Sequence, residues 1–299
     1  MKVLLLDIDS TIPNLALQKV KKYHADRGDE IIWNMPLAKD IADKIYVSCV
    51  FTKNKDKCDL WEGLAEIGGS GYSLDVELPP EINAVKPRIN YGFTTRGCIR
   101  NCKFCIVPKK EGKVHIEGDL LDLWDGQARQ VTIMDNNILA LPEQFEWVCK
   151  QARENHIKLD FNQGLDHRLI TPTIAKMMAN VSHTEYRLAF DHPSYKQSVE
   201  KVIHLLREVG INRCFWYVLV GFDTTPEEDL IRVNFLRDNN QRAYVMRYET
   251  RYYEPFYVGL ARWANQPRLF ASMSWQQFLD YPRPSHQRLK RFIADRATK

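Results

Sequence analysis

Three thiols fall within eight residues of each other in the run Thr94-Thr95-Arg96-Gly97-Cys98-Ile99-Arg100-Asn101-Cys102-Lys103-Phe104-Cys105. Thiolates this closely spaced suit an iron-sulfur cluster. Cubane iron-sulfur clusters ordinarily take four of them, so a loop that offers three leaves one iron open to an exchangeable ligand. An open coordination position suits a catalytic centre, whereas structural sites are closed. Two other readings use the same residues: a structural zinc with a distant fourth ligand, or three cysteines with separate roles. Zinc loops favour two Cys-x-x-Cys pairs, which this sequence lacks.

A loop of this kind needs a strand end to hold it. Six apolar runs with helical segments between them occupy residues 88–93, 130–134, 158–161, 186–190, 215–220 and 243–248, and the cysteines directly follow the first. Residues 143–155 place Phe145, Val148, Cys149 and Ala152 on one helical face, and residues 195–209 do the same with Val199, Val202, Ile203 and Leu206. Thr225-Pro226-Glu227-Glu228 has the form of a capping box. The expected fold is therefore α/β, a (βα)6 partial TIM barrel over residues 81–250, with its functional loops at the C-terminal ends of the strands. Ahead of it, residues 1–80 read as a small doubly wound α/β unit. Its strands are Lys2-Val3-Leu4-Leu5-Leu6-Asp7, Glu30-Ile31-Ile32-Trp33 and Lys44-Ile45-Tyr46-Val47-Ser48, its first helix is 14–24, and a linker follows at Leu78-Pro79-Pro80-Glu81. Residues 251–299 form a basic, mostly helical extension rich in aromatic residues.

The Cys98-x-x-x-Cys102-x-x-Cys105 loop, with Phe104 before the last cysteine and a six-strand βα pattern around it, resembles the radical S-adenosylmethionine (SAM) superfamily over about residues 86–250. The resemblance implies a 4Fe-4S cluster held by Cys98, Cys102 and Cys105, with SAM on the fourth iron. It implies reductive cleavage of SAM to methionine and a 5′-deoxyadenosyl radical that abstracts hydrogen from a substrate, and a one-electron reductant such as flavodoxin or ferredoxin. The resemblance also implies that Phe104 is the cofactor-side aromatic of the loop. The family's Gly-Gly-Glu after the second strand is replaced by Met134-Asp135-Asn136-Asn137, where Asp135 and Asn136 stand to receive the SAM ammonium or to cap a helix. Asn162 or Gln163 could contact ribose and Arg168 a carboxylate, or Arg168 could pair with Asp166 across a turn. His192 reads equally as a loop histidine or a catalytic one. Gly221 stands where the family makes a backbone contact to adenine, or is a turn glycine. The reaction after hydrogen abstraction, the substrate and any catalytic side chain are not legible.

The N-terminal unit resembles the cobalamin-binding domain of one branch of that superfamily. Ser48-x-Val50 and Gly68-Gly69 echo its signposts, but Asp-x-His-x-x-Gly is missing, and the expectation is a degenerate unit without cobalamin.

Composition bounds the rest. With 299 residues, 44% hydrophobic and 27% charged, the chain is globular, and seven cysteines without a secretion signal point to thiols instead of a disulfide framework. Acidic residues arrive at Asp7 and Asp9, too early for a signal peptide, and no apolar run approaches the ~20 residues of a membrane span, so a cytoplasmic protein is expected. Cys49, Cys149 and Cys214 read as core, and Cys58, among the charges of 53–59, as exposed. The net charge of +4 is uneven: 11 Lys/Arg against 4 Asp/Glu in 242–299 leave 31 against 34 before it. Basic and aromatic residues interleave there at Arg242, Tyr244, Arg247, Tyr248, Arg251, Tyr252, Tyr253, Phe256, Tyr257, Arg262, Trp263 and Arg268. Such a pattern serves nucleic-acid stacking or closes the base of a barrel; packing is the first reading.

Overall fold

A computed structural model describes residues 1–297 as a mixed α/β chain of parallel sheets and many helices, in two compact units, Met1–Met134 and Asp135–Lys299.

The first unit opens with β1 (Lys2–Asp7), α1 (Leu15–Ala25), β2 (Glu30–Trp33), β3 (Lys44–Ser48) and β4 (Glu66–Gly68), which form a parallel sheet in the order β2-β1-β3-β4. Strand β1 shows why a continuous apolar run was needed. Side chains alternate across a strand, and Leu4 and Leu6 enter one core while Val3 and Leu5 enter another. The second core lies under α1, through Leu17 and Val20; the first lies under two 3-10 segments, Pro36–Ile41 and Thr52–Trp61, through Ala38, Cys58 and Trp61. Asn14 caps α1 by accepting the Leu17 N–H. The connection from β2 to β3 is thus 3-10 in form, and β4 is a strand that periodicity did not reveal. The linker carries a short helix, α2 (Pro80–Asn83), whose Ile82 is buried and whose Asn83 accepts from Lys19 Nζ through its carbonyl at 2.7 Å and its side-chain oxygen at 2.8 Å.

Cys58 corrects the sequence reading. It is fully buried, because the 3-10 repeat turns Cys58 and Trp61 inward while Lys53, Lys55, Asp56 and Lys57 stay exposed. Cys49, Cys149 and Cys214 are buried as expected, and burial pushes each of these thiols up to about 12, so they are inert core sulfurs.

The rest of the first unit is β5 (Tyr91–Gly92), β6 (Thr95–Arg96), α3 (Val107–Lys110), β7 (His115–Ile116), α4 (Leu120–Leu123) and β8 (Gln130–Ile133). β5 pairs parallel with β8, and β6 antiparallel with β7.

The second unit runs α5 (Pro142–Glu154), β9 (Lys158–Phe161), α6 (Pro172–Ala179), β10 (Arg187–Ala189), α7 (Lys196–Glu208), β11 (Phe215–Val220), α8 (Pro226–Asp238) and β12 (Arg242–Arg247). β10, β11 and β12 form a parallel sheet with Arg187, Phe215 and Arg242 in register, and Leu159 and Leu165 make isolated parallel bridges to His183 and Leu188. Each of the six expected strands is present, two in the first unit and four in the second. The Thr225–Glu228 capping box opens α8 as the sequence required.

Four helices close the described chain: α9 (Pro255–Ala264), α10 (Pro267–Ser272), α11 (Trp275–Asp280) and α12 (Pro284–Ala297). Phe256, Tyr257 and Trp263 are buried, and Trp263 and Trp275 pack at 5.5 Å between ring centroids. Gly259 lets α9 and α12 touch, since a Cβ there would stand 2.3 Å from Leu289. These rings are core. No helix among the described residues is long and apolar enough to cross a membrane.

Candidate functional site

The cysteine loop is an excursion pinned at its neck. Strands β6 and β7 clamp its two ends, with Thr95 opposite Ile116 and Arg96 opposite His115. Thr94 is buried, and its carbonyl accepts from the N–H groups of Glu117 at 2.9 Å and Gly118 at 3.2 Å. Arg96 bonds Glu111 across the neck at 2.7 Å and lies 4.1 Å from the Phe93 ring centre. Gly97 takes a φ of +77, and a Cβ there would lie 2.3 Å from the Lys113 carbonyl oxygen, so glycine alone lets the chain turn into the loop against its returning strand. The Cys98 N–H then reaches the Gly112 carbonyl at 3.2 Å.

Cys98, Cys102, Cys105 and Phe104 are all half-buried on this loop. Cys98 Sγ accepts the Arg100 N–H at 3.3 Å, and a turn closes from the Cys105 N–H to the Cys102 carbonyl at 3.0 Å. All three cysteines are thiols. As a donor set they fit iron: three soft sulfur ligands of intermediate exposure on one anchored segment. Among the described residues, however, no group of three His, Cys, Asp or Glu side chains is already gathered around a metal position.

The remaining expected residues belong to the second unit. Asp135 is buried and Asn136 half-buried. Neither is a helix cap: Asn137 precedes the 3-10 turn Ile138–Ala140, and Leu141 precedes α5. Asn162 follows β9, and its carbonyl accepts the Tyr217 hydroxyl at 2.9 Å; Gln163 is exposed. Gly164, at a φ of +93, crosses the face of the Tyr217 ring, where a Cβ would approach to 3.3 Å. Arg168 pairs with Asp166 through two bonds, Nε at 2.7 Å and a terminal nitrogen at 3.1 Å, and stacks 4.9 Å from the Tyr195 ring centre. His192 is exposed and bonds Ser194 Oγ at 2.7 Å, accepting the Ser194 N–H as the cap of a 3-10 turn.

Gly221 is buried at a φ of +76, and its N–H donates to Asp229 Oδ2 at 2.9 Å. A Cβ would stand 2.9 Å from Arg251 Cβ and 3.1 Å from Tyr257 Cε2. That amide is therefore committed within the protein, and the glycine is needed for packing as well as for the turn.

Sequence reading missed the group behind this turn. Asp229 and Arg232, both fully buried, form an ion pair on α8. Arg232 also donates to the carbonyls of Phe190 and Leu219, and Asp229 accepts the Thr224 hydroxyl at 2.6 Å. The guanidinium thus ties the ends of β10 and β11 together from behind. Their one sequence signal was a spacing of three on a helix, which surface pairs share.

The basic and aromatic stretch divides. Tyr244, Tyr252 and Tyr253 are exposed, while Arg242 bonds Glu185, Arg251 bonds Glu254 at 2.8 Å, and Arg247 lies 3.9 Å from the Tyr252 ring centre. Two of the cations of this stretch, Arg242 and Arg251, are thus paired with carboxylates close by.

No family model matches the chain, and no curated protein matches it. Among solved structures, Streptococcus suis SuiB, crystallised bound to precursor peptide SuiA, is similar at 15% identity and a TM-score of 0.39. The match covers 70% of this chain and 45% of that one, so this chain spans under half the length of SuiB.

Proposed function

We propose that the chain is a radical SAM enzyme built on a partial (βα)6 barrel, and the observation that carries this reading is the pinned loop with its three half-buried thiols in Cys-x-x-x-Cys-x-x-Cys spacing. Cys98, Cys102 and Cys105 would hold three irons of a 4Fe-4S cluster and leave the fourth for SAM. When bound, that pair supplies one-electron cleavage of the sulfonium, giving methionine and a 5′-deoxyadenosyl radical. The protein's own part is binding and exclusion. The β6–β7 clamp fixes both ends of the loop, so the thiolates have only the intervening turn to rearrange. Phe104, half-buried on the same loop, is assigned to the cofactor side. Asp135 and Asn136 are assigned to the SAM ammonium, a charge-assisted contact that fits a buried carboxylate outside any cap position. Asn162 would present its side-chain amide to ribose, and Gly221 its carbonyl to adenine, its N–H being held by Asp229. Arg168, bound to Asp166, could reach a carboxylate only by giving up part of that pair. Electrons would come from a flavodoxin- or ferredoxin-like donor.

Anaerobic reconstitution with iron and sulfide tests the reading. One 4Fe-4S cluster per chain is expected, with Cys98→Ala, Cys102→Ala or Cys105→Ala each abolishing it, and with Cys149→Ala and Cys214→Ala retaining it. A normal cluster with full SAM cleavage in the Cys102→Ala protein would refute it.

A further inference from the structure

The cysteine loop has no core of its own. Every residue of 98–114 is at least partly exposed, so little apolar burial is on hand to fix where the three thiols sit. What holds the loop beyond its β6–β7 neck is polar, and it leads to the N-terminal sheet. At the neck, Glu117 Oε1 stands 3.7 Å from Arg96 Nε and 3.5 Å from Lys19 Nζ on α1. Charges therefore alternate from helix to loop as Lys19, Glu117, Arg96 and Glu111, the last two closing at 2.7 Å. Lys19 is buried, and its ammonium also donates to both oxygens of Asn83. Burial lowers its pKa, and Glu117 pulls it back against the charges of Arg96 and Lys86. Lys86 donates in turn to the Glu117 carbonyl at 3.0 Å, while the Glu117 N–H meets the Thr94 carbonyl at 2.9 Å.

A second tether grips the far side of the loop. Lys110, at the end of α3, donates to the carbonyls of Leu74 at 2.8 Å and Val76 at 3.0 Å. Those carbonyls belong to the stretch after β4, which lies directly on the end of β3. The Gly71 N–H donates to the Cys49 carbonyl at 3.0 Å. A Cβ on Gly69 would stand 2.3 Å from the Cys49 carbonyl oxygen, and one on Gly71 2.5 Å from the Phe51 carbonyl carbon, so the stretch cannot lift away without losing close backbone packing. The loop thus groups with the sheet that precedes it, in the unit Met1–Met134.

We propose that residues 1–83 act as the mount of the cysteine loop, with Lys19 and Lys110 as positioning residues that tie its neck and its far side to the β1–β4 sheet. This gives the N-terminal unit a task that needs no ligand of its own. Three ligands carried on one segment bind more tightly when they are already ordered, since the ordering cost then falls on folding and not on binding. The purpose of the mount rests on the radical SAM reading; the tethers themselves need no iron.

Hydrogen exchange on the full-length protein without iron reads the tethers directly, through the bonded amides of Cys98, Cys105, Lys109, Lys110 and Glu111. Lys110→Met, at a half-buried position, should speed exchange across 98–114 roughly tenfold, because two charge-assisted bonds that oppose local opening are lost. Glu117→Gln should do so several-fold. Residues 2–7 and 44–48 should exchange as in the parent in both. Lys110→Arg, whose guanidinium can donate to both carbonyls, should restore the parental rate. Lys44→Met, which removes a surface pair with Glu66 in the same unit, should leave 98–114 unaltered. After anaerobic reconstitution, Lys110→Met and Glu117→Gln should lose iron to a chelator several-fold faster than the parent. Parental exchange in both variants, acceleration shared equally with residues 2–7 and 44–48 or with Lys44→Met, no rescue by arginine, or parental iron loss would overturn the proposal. A parent that assembles no cluster would refute the radical SAM reading instead, and the exchange rates would still decide whether the tethers hold the loop.

Discussion

Replacing Arg232 by methionine should cost the second unit about 3–5 kcal/mol, the range for removing one partner of a buried ion pair. The structure shows where the loss arises. Methionine keeps most of the volume of the stem, but the carbonyls of Phe190 and Leu219 lose their donor and the Asp229 carboxylate loses its counter-charge, keeping the Gly221 N–H and the Thr224 and Tyr257 hydroxyls around it. Each orphaned polar group costs about 1–3 kcal/mol. The three do not add in full, because water and small backbone shifts relieve some of the penalty. At about 2–4 °C per kcal/mol for a unit of this size, the midpoint should fall by roughly 10 °C. Asp229→Asn combined with Arg232→Met removes both charges, so the pair should recover at least about 1 kcal/mol relative to the sum of the single changes. Urea titrations of the four proteins, followed by the fluorescence of buried Trp216 and Trp263, would measure the cycle. A loss under about 1 kcal/mol in Arg232→Met, or strict additivity, would refute the view that this pair holds the strand ends.

Changing Asp135 and Asn136 together to Ala should weaken SAM binding roughly ten- to a hundredfold, equivalent to about 1.5–3 kcal/mol, while the cluster remains; unchanged affinity measured on the reduced cluster's paramagnetic spectrum would count against their assignment. Asp9 gives the first unit an acid-side dependence. Desolvation raises its pKa, but the N–H groups of Val50 and Phe51 and the Asn54 amide more than offset that and hold it below the usual carboxylate value. Its stabilisation is present above the unfolded-state pKa and lost as pH falls through the lowered folded value, so Asp9→Asn should flatten the acid limb of a stability-against-pH curve, and an unaltered limb would show another group responsible. Asn265 closes the outer edge of β12 as a peptide group would, accepting the Val245 N–H at 2.6 Å and donating to the Val245 carbonyl at 3.1 Å. Asn265→Ala should cost about 1–3 kcal/mol and, by baring a strand edge, raise concentration-dependent association in sedimentation, which a strictly monomeric variant would contradict.

The local code of this chain was largely legible in its sequence. β2, β3, β9 and β11 lie where short apolar runs place them, because a strand buried on one or both faces has no tolerance for a shifted boundary. The capping box at Thr225 and the spacing of Cys98, Cys102 and Cys105 are likewise local facts, readable without a partner. Tertiary structure decided what lies behind and beside them. Cys58 sits among charges and is buried, since a 3-10 segment, not an α-helix, presents it to the sheet. Arg232 looks like a surface residue of a charged helix and is the most deeply committed cation of its unit, because its partners, Phe190 and Leu219, are 42 and 13 residues away. The aromatic stretch after residue 242 reads as one feature but divides into core rings on α9 and open rings at Tyr244 on β12 and at Tyr252 and Tyr253 in the turn after it, a choice made by packing and not by residue type. Asp191 carried no motif at all. Only the parallel register of β10 and β11 brings its carboxylate to the Leu219 N–H, for register across strands is fixed by contacts between segments far apart in sequence.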